Sequence, residues 1–193
     1  MPTIYKLLNY VFYPLALAVI YIRKIFKKEH HLRYKEKIFS KDFKISKSKN
    51  KLVWFHAASV GELMSVVPLI KKINEKNELD FLITTITTTS ALIVEREFNS
   101  YENINHRFLP IDNPILIKKF LDGWKPSLAL FVDSEIWPNF ILKLKDEKVP
   151  LILLNARISK KSFLRWKAFQ NSTKKSSILF HYVYRQIKIP QIT

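Results

Sequence analysis

The sequence predicts an α/β fold, a Rossmann-like parallel sheet with helices on both faces, and three observations lead there. Strand-length runs, most of them dominated by apolar residues, recur at 52–55, 81–85, 105–108, 128–132 and 151–154. Such near-continuous apolar runs suit strands covered on both faces. Between them, at 63–74, 90–97, 115–121 and 137–146, apolar residues fall at helical spacing. Polar turn residues follow each of the strands at 52–55, 128–132 and 151–154. Alternating strand and helix is the signature of parallel βαβ units, whose ligands bind beyond the carboxyl ends of the strands.

Taken in order, the chain opens with an apolar segment at 7–22, interrupted by Asn9 and Pro14 and extended backwards by Ile4 and Tyr5. It falls slightly short of the roughly 20 residues that span a bilayer core. The expectation for 1–22 is a single membrane anchor, with an interfacial helix kinked at Pro14 as the second reading and a helix buried in the globular domain as the third. No small-residue cleavage site precedes the basic stretch, so a cleaved signal peptide fits poorly. Arg23, Lys24, Lys27 and Lys28 follow and would keep the C-terminal side in the cytoplasm. Residues 23–50 then form a basic juxtamembrane segment ahead of the α/β domain, placed at 51–180.

That domain begins with Leu52, Val53, Trp54 and Phe55, a strand ending near His56, and the helical period starts at Leu63 with Val66, Val67, Ile70 and Ile73. Gly61, one of only two glycines in the chain, sits where a strand-to-helix turn calls for a positive φ or a close backbone approach. Glu62 falls at the helix start, where free N–H groups and the dipole stabilise a carboxylate or an anionic ligand. A carboxylate there is placed to act as a base. Ser59 and Glu62 also match an S-x-x-E capping box that needs no chemistry, and spacing alone leaves both readings open.

A formal charge of +17 raises nucleic acid as a partner, but no recognised RNA- or DNA-binding motif accompanies it. The cations crowd behind the apolar segment, where anionic phospholipid head groups attract them by about 1 kcal/mol each. The absence of cysteine excludes disulfides and thiolate-ligated zinc. His30, His31, His56, His106 and His181 show no chelating pattern, and most of them read as surface or strand-end residues. Neither a metal nor a cofactor is expected, and without G-x-G-x-x-G a dinucleotide-binding dehydrogenase is disfavoured.

Five elements occur in order: HAASVGE at 56–62, TTITTTS at 84–90, PIDNP at 110–114, DSEIWPN at 133–139 and NARIS at 155–159. Together they resemble the 3-deoxy-D-manno-octulosonic acid (Kdo) transferases of Gram-negative lipopolysaccharide synthesis. An upstream element, with Glu29, Arg33 and Glu36 at the family's spacing, extends the likeness, although Lys37 and Phe39 replace its arginine and glycine. The same stretch also reads as a solvated basic helix. Asp133 stands where the family usually has glutamate.

The resemblance implies the N-terminal, acceptor-side Rossmann-like domain of a two-domain GT-B glycosyltransferase. The enzyme would take Kdo from CMP-Kdo and attach it to the lipid A precursor, with inversion. Glu62 would be the general base. Ser59, Gly61, Thr88, Thr89 and Ser90 would contact substrate phosphates or hydroxyls. Glu135 and Asn139 would either bind substrate or fix their loop, Trp137 reads as a packed aromatic ahead of a sugar platform, and Arg157 would pair with a carboxylate or a phosphate. The implied partners are CMP-Kdo, the lipid A precursor and anionic lipid of the inner membrane, with the domain on its cytoplasmic face and no nucleic acid. Because the pattern fades in 181–193, the resemblance also implies a truncated or split form in which the donor-binding domain is absent or separately encoded.

Overall fold

The computed structural model describes residues 3–39, 50–76, 78–133 and 137–155. Five strands, β1 (Lys51–Ala57), β2 (Leu79–Thr85), β3 (Ile104–Phe108), β4 (Leu128–Val132) and β5 (Leu151–Leu154), form one sheet in the order β3-β2-β1-β4-β5. Every pairing is parallel. The helices α2 (Val60–Asn74), α3 (Thr88–Phe98), α4 (Pro114–Trp124) and α5 (Pro138–Asp146) supply the crossovers.

The expected bounds of β4 and β5 match those observed. β1 runs on through His56 and Ala57, both fully buried and paired with Thr84 and Thr85. A histidine inside a strand breaks the apolar run in sequence but not the ladder, because Thr84 supplies its hydrogen-bond partner.

Alternation along β1 sorts two cores. Leu52 and Trp54 join Phe120, Phe131, Phe140 and Ile141 on the α4–α5 side. Val53, Phe55 and Ala57 join Leu63, Val66, Ile70, Val94 and Phe98 on the α2–α3 side. With a layer on each face no side of β1 is left for polar residues, hence the continuous apolar run. Trp54 is the hub of the first core, its ring centroid 5.0 to 5.5 Å from those of Phe131, Phe120 and Phe140, in the tilted and edge-on geometries aromatic rings prefer.

The helices start where their caps dictate. Ser59, Thr87 and Asn113 sit at the N-caps of α2, α3 and α4, and each accepts a hydrogen bond from a first-turn N–H. Pro114 and Pro138 open α4 and α5, at positions that need no donor.

Ahead of the sheet, α1 spans Thr3–Ile25. No helix among the described residues is long and apolar enough to cross a membrane, which the anchor expected at 1–22 would need. Lys6, Asn9 and Pro14 dilute its apolar run, and its C-terminal half is docked on protein. Ile20 is buried with Tyr34 and Ile38, and the Tyr13 hydroxyl donates to Ile38 O at 3.2 Å.

The following stretch is not a solvated basic helix either. A single 3-10 turn, Arg33–Lys37, lies on the edge strand β3, with Tyr34 buried against Ile20 and Ile38 and with Glu36 and Lys37 buried beside Phe108. Glu36 accepts from Arg33 Nε at 2.7 Å and from Phe108 N at 2.9 Å. Glu29 accepts from Arg23 Nε at 2.7 Å and pairs with the Lys37 ammonium. Buried charges persist only when paired and hydrogen-bonded, and covering an edge strand prevents it from pairing with another chain.

Candidate functional site

In a sheet of order β3-β2-β1-β4-β5 the strand order reverses between β1 and β4, and a crevice opens there at the carboxyl ends. The turn 57–62 borders it on one side and the segment after Val132 on the other. Around the same edge lie the turns after β2 and β3 and the end of β5, so topology alone brings together the described parts of sequence elements that are far apart in the chain.

Gly61 does not have the conformation that the sequence led us to expect. No glycine among the described residues has a positive φ. Gly61 lies inside the first turn of α2, and a Cβ added there would meet nothing within 4 Å. The fold therefore does not require glycine at this position, and the bare backbone leaves open space in front of the helix N-terminus.

Glu62 is half-buried. Its Oε2 accepts from Ala58 N at 2.8 Å, its Oε1 accepts from Ser59 Oγ at 2.8 Å, and Ser59 Oγ in turn accepts from Glu62 N at 3.3 Å. The capping box is thus real, with the carboxylate reaching one residue further back than usual. It does not exclude chemistry. A carboxylate has about four acceptor positions, so two hydrogen bonds fix its rotamer and leave lone pairs for a proton.

In the turn after β2, Thr87 Oγ1 accepts from Ser90 N at 3.1 Å and lies 2.8 Å from Ser90 Oγ. Ser90 is fully buried and its hydroxyl is committed to this cap. Thr88 is half-buried and Thr89 exposed; of the three expected contact residues, these two are open to a ligand. Asn139 is buried at the start of α5, its Nδ2 donating to Asp112 O at 2.7 Å and to Asp112 Oδ2 at 3.1 Å. Asn139 thereby locks the PIDNP loop to α5, the loop-fixing role. Trp137 packs, partly buried, on the Trp54 core, in keeping with the packed reading. Glu135 and Arg157 lie outside the described residues.

Two turns begin in the left-handed region, at Asp133 (φ 59°) and Asn155 (φ 53°). Asp and Asn tolerate that region better than longer side chains, which gives Asp133 a local reason to differ from the family's glutamate.

Sequence reading missed the polar core behind this edge. His56 is fully buried, with Nδ1 3.0 Å from Thr84 Oγ1 and 3.2 Å from Thr84 O. The carbonyl requires Nδ1 to carry the proton, so Nε2 is an acceptor, and it has no hydrogen-bond partner among the described residues. Burial pushes the His56 pKa down to about 4. His106 Nδ1 and its carbonyl accept from Arg33, and its Nε2–H donates to Thr85 Oγ1 at 2.9 Å. Burial first, then the Arg33 and Arg107 charges, push its pKa down to about 3. Neither histidine fits the surface or strand-end reading given to most of the five; the available signal for His56 was its place directly after the apolar run Leu52–Phe55, and for His106 the apolar Ile104 and Phe108 two residues away on either side.

Residues 31–189 match the family model described as 3-Deoxy-D-manno-octulosonic-acid transferase (kdotransferase). A probable mitochondrial 3-deoxy-D-manno-octulosonic acid transferase of Arabidopsis thaliana is 36% identical over 166 residues, covering 86% of this chain and 36% of that protein. The 3-deoxy-D-manno-octulosonic acid transferase of Rickettsia bellii is 39% identical over 171 residues, covering 86% and 39%, and that of Rickettsia typhi 47% over 116 residues, covering 60% and 24%. Among solved structures, a complex of S. aureus MnaA with UDP overlaps 69% of this chain and 39% of its own at a TM-score of 0.43 and 11% identity, a likeness too slight to bear on function. The chain spans less than two fifths of the length of the first two relatives. With its motifs in order along the sequence and a family match over most of its length, the chain belongs to the 3-deoxy-D-manno-octulosonic acid transferase family.

Proposed function

We propose that this chain is the acceptor-side part of an enzyme that transfers Kdo from CMP-Kdo to the lipid A precursor with inversion, and that Glu62 is its general base. The carrying observation is the Glu62 carboxylate, fixed by Ala58 and Ser59 at the N-terminus of α2 and at the point where the strand order reverses. Glu62 takes the proton of the acceptor hydroxyl as that oxygen attacks the anomeric carbon. The bond from that carbon to the CMP phosphate oxygen breaks, and its electron pair leaves with CMP. Thr88, Thr89 and the open backbone at Gly61 offer hydroxyls and N–H groups to phosphate or sugar oxygens. No metal enters this scheme. The rest of the donor site belongs to the length of family protein that this match does not cover, encoded with this chain or separately.

Transfer of labelled Kdo from freshly generated CMP-Kdo to lipid A precursor by the 193-residue chain, alone and with a relative's C-terminal portion added, tests this reading. Product that depends on Glu62 supports it; product untouched by its loss refutes the assignment of the base.

Gly61→Ala separates fold from function at the same turn. A helical Cβ with nothing within 4 Å should leave stability unchanged or raise it by up to about 1 kcal/mol, visible as an equal or higher urea midpoint. Transfer should nevertheless fall, because the methyl fills the space a substrate oxygen needs to reach the backbone. Unchanged transfer would remove this turn from the substrate path.

A second reading has its own observation. Leu15, Val19, Ile22 and Phe26 are exposed at helical spacing along α1 and its end, beside Arg23, Lys24, Lys27 and Lys28. An apolar stripe flanked by cations suits a helix lying in the interface of an anionic bilayer. On this reading the chain is a non-catalytic lipid-binding protein, whereas in the enzyme the same face holds the site against the cytoplasmic side of the inner membrane. Binding to phosphatidylglycerol vesicles is expected to weaken with salt and with Phe26→Glu. Binding of that kind with no transfer under any condition favours the non-catalytic reading.

A further inference from the structure

We propose that Lys37 is a positioning residue that holds the turn after β2 in its ligand-ready shape, and that Arg23 and Glu29 tie it to α1. The proposal rests on the functional reading above for its purpose but not for its test. Lys37 is 6% exposed, and all three ammonium protons have a destination. One goes to the Glu29 carboxylate, one to Ile86 O at 2.8 Å, and the third side faces the Phe108 ring, 5.1 Å from its centroid.

Ile86 is the residue just before the N-cap Thr87. Its carbonyl lies one position beyond the last strand residue, Thr85, so the sheet does not supply its partner. The Lys37 ammonium does. From there Thr87 holds the Ser90 and Ala91 N–H groups, which sets the placement of Thr88 and Thr89 between them.

The same residue reaches a second turn through its backbone. Lys37 O accepts from Ile111 N at 2.9 Å, next to Asp112, which in turn holds Asn139 at the start of α5. One residue thus fixes the segments after β2 and β3.

On its other side Glu29 accepts from Arg23 Nε at 2.7 Å in the last turn of α1. The path from the exposed stripe of α1 to the ligand turn is therefore Arg23, Glu29, Lys37, Ile86, each step a hydrogen bond or ion pair. A hydrophobic staple of similar volume would stabilise as well as a buried ion pair. It would not hold a carbonyl, and Ile86 O is what this position has to hold.

Amide hydrogen exchange on the 193-residue chain tests the proposal. Lys37→Met is expected to speed exchange at Ser90 and Ala91 by about tenfold or more, with β4 and β5 amides unchanged, and Lys37→Arg to restore protection. Arg23→Gln, which leaves the Lys37–Glu29 pair in place, should give a smaller acceleration confined to the same amides. Unchanged exchange at Ser90 and Ala91 in Lys37→Met overturns the positioning role, as does acceleration spread evenly over the sheet. If Lys37→Met fails to fold, Arg23→Gln decides alone, and unaltered exchange there overturns the tie to α1. In the transfer assay Lys37→Met should lower kcat/KM while Lys37→Arg stays within about twofold of wild type. If the wild-type chain transfers nothing, the transferase reading suffers, and the exchange result still decides the role of Lys37.

Discussion

Glu62→Gln is expected to lower Kdo transfer by about 10²- to 10⁴-fold, the span over which removal of a general base is felt, while the protein stays folded. The choice of glutamine matters because Glu62 has two occupations in the structure, accepting from Ala58 N and Ser59 Oγ as part of the α2 cap. Glutamine also serves at the third position of a capping box. Its carbonyl can still accept from Ala58 N and its amide can donate to Ser59 Oγ, so the stability cost should stay near about 1 kcal/mol. What it cannot do is take a proton. Glu62→Ala loses both cap and base, and Glu62→Asp keeps the charge but draws it back by one methylene. Initial rates of labelled product, read beside urea midpoints for the three variants, separate the roles. If rate followed stability across the series, Glu62 would be a cap and nothing more.

Acidification should cost the fold several kcal/mol well above the pH at which carboxylates titrate. His56 and His106 are held neutral, with pKa values of about 4 and about 3 against roughly 6.5 when unfolded. Above pH 6.5 neither state binds the proton and the full stability is present. As pH falls from 6.5 towards 4 the unfolded chain takes up protons at both sites and the folded chain does not. Stability therefore drops with falling pH, by up to about 1.4 kcal/mol per pH unit for each histidine. The loss is complete for His56 below about pH 4 and for His106 below about pH 3, on the order of 3 kcal/mol or more apiece. Urea midpoints taken from pH 7.5 to 5 measure the slope before carboxylates contribute. His106→Gln, whose amide oxygen can still accept from Arg33, should remove about half of it. A flat profile between pH 6.5 and 5 would mean that both rings are protonated in the fold, and a halved slope that one is, contrary to their burial.

The strands and helices were legible because a sheet sandwiched between helix layers writes itself as apolar runs of strand length separated by helical periods. Trp54, Phe55, Phe131 and Leu153 are buried in the sheet as expected. The motif turns were legible for a different reason, since their order and spacing carry the family's signature whatever their geometry. What the sequence could not display were contacts made only in three dimensions. Glu29, Glu36 and Lys37 read as part of a solvated charge run, because nothing local says that Arg23, Phe108 and Ile86 arrive to satisfy them. His56 looked like the end of a strand because its partner, Thr84, comes from the neighbouring one. Gly61 misled in the opposite direction, since glycine's freedom to adopt positive φ suggested a backbone need where the structure shows an ordinary helical residue with empty space beside it.

The strand order also bears on how the chain is made. β1 is the central strand, with Val53 beside Phe81 on one side and Leu128 on the other. During synthesis the first partner follows β1 closely, but the second emerges only after α2, β2, α3, β3 and α4. At roughly 5–20 residues per second that delay lasts roughly 4 to 15 s. For that interval the central strand of the sheet is an edge, with Val53, Trp54, Phe55 and His56 lacking their β4 partners, and unpaired edges recruit other chains. A ribosome-bound chain that stalls before Leu128 should be a strong client for a holding chaperone, and one that has passed Val132 should be released.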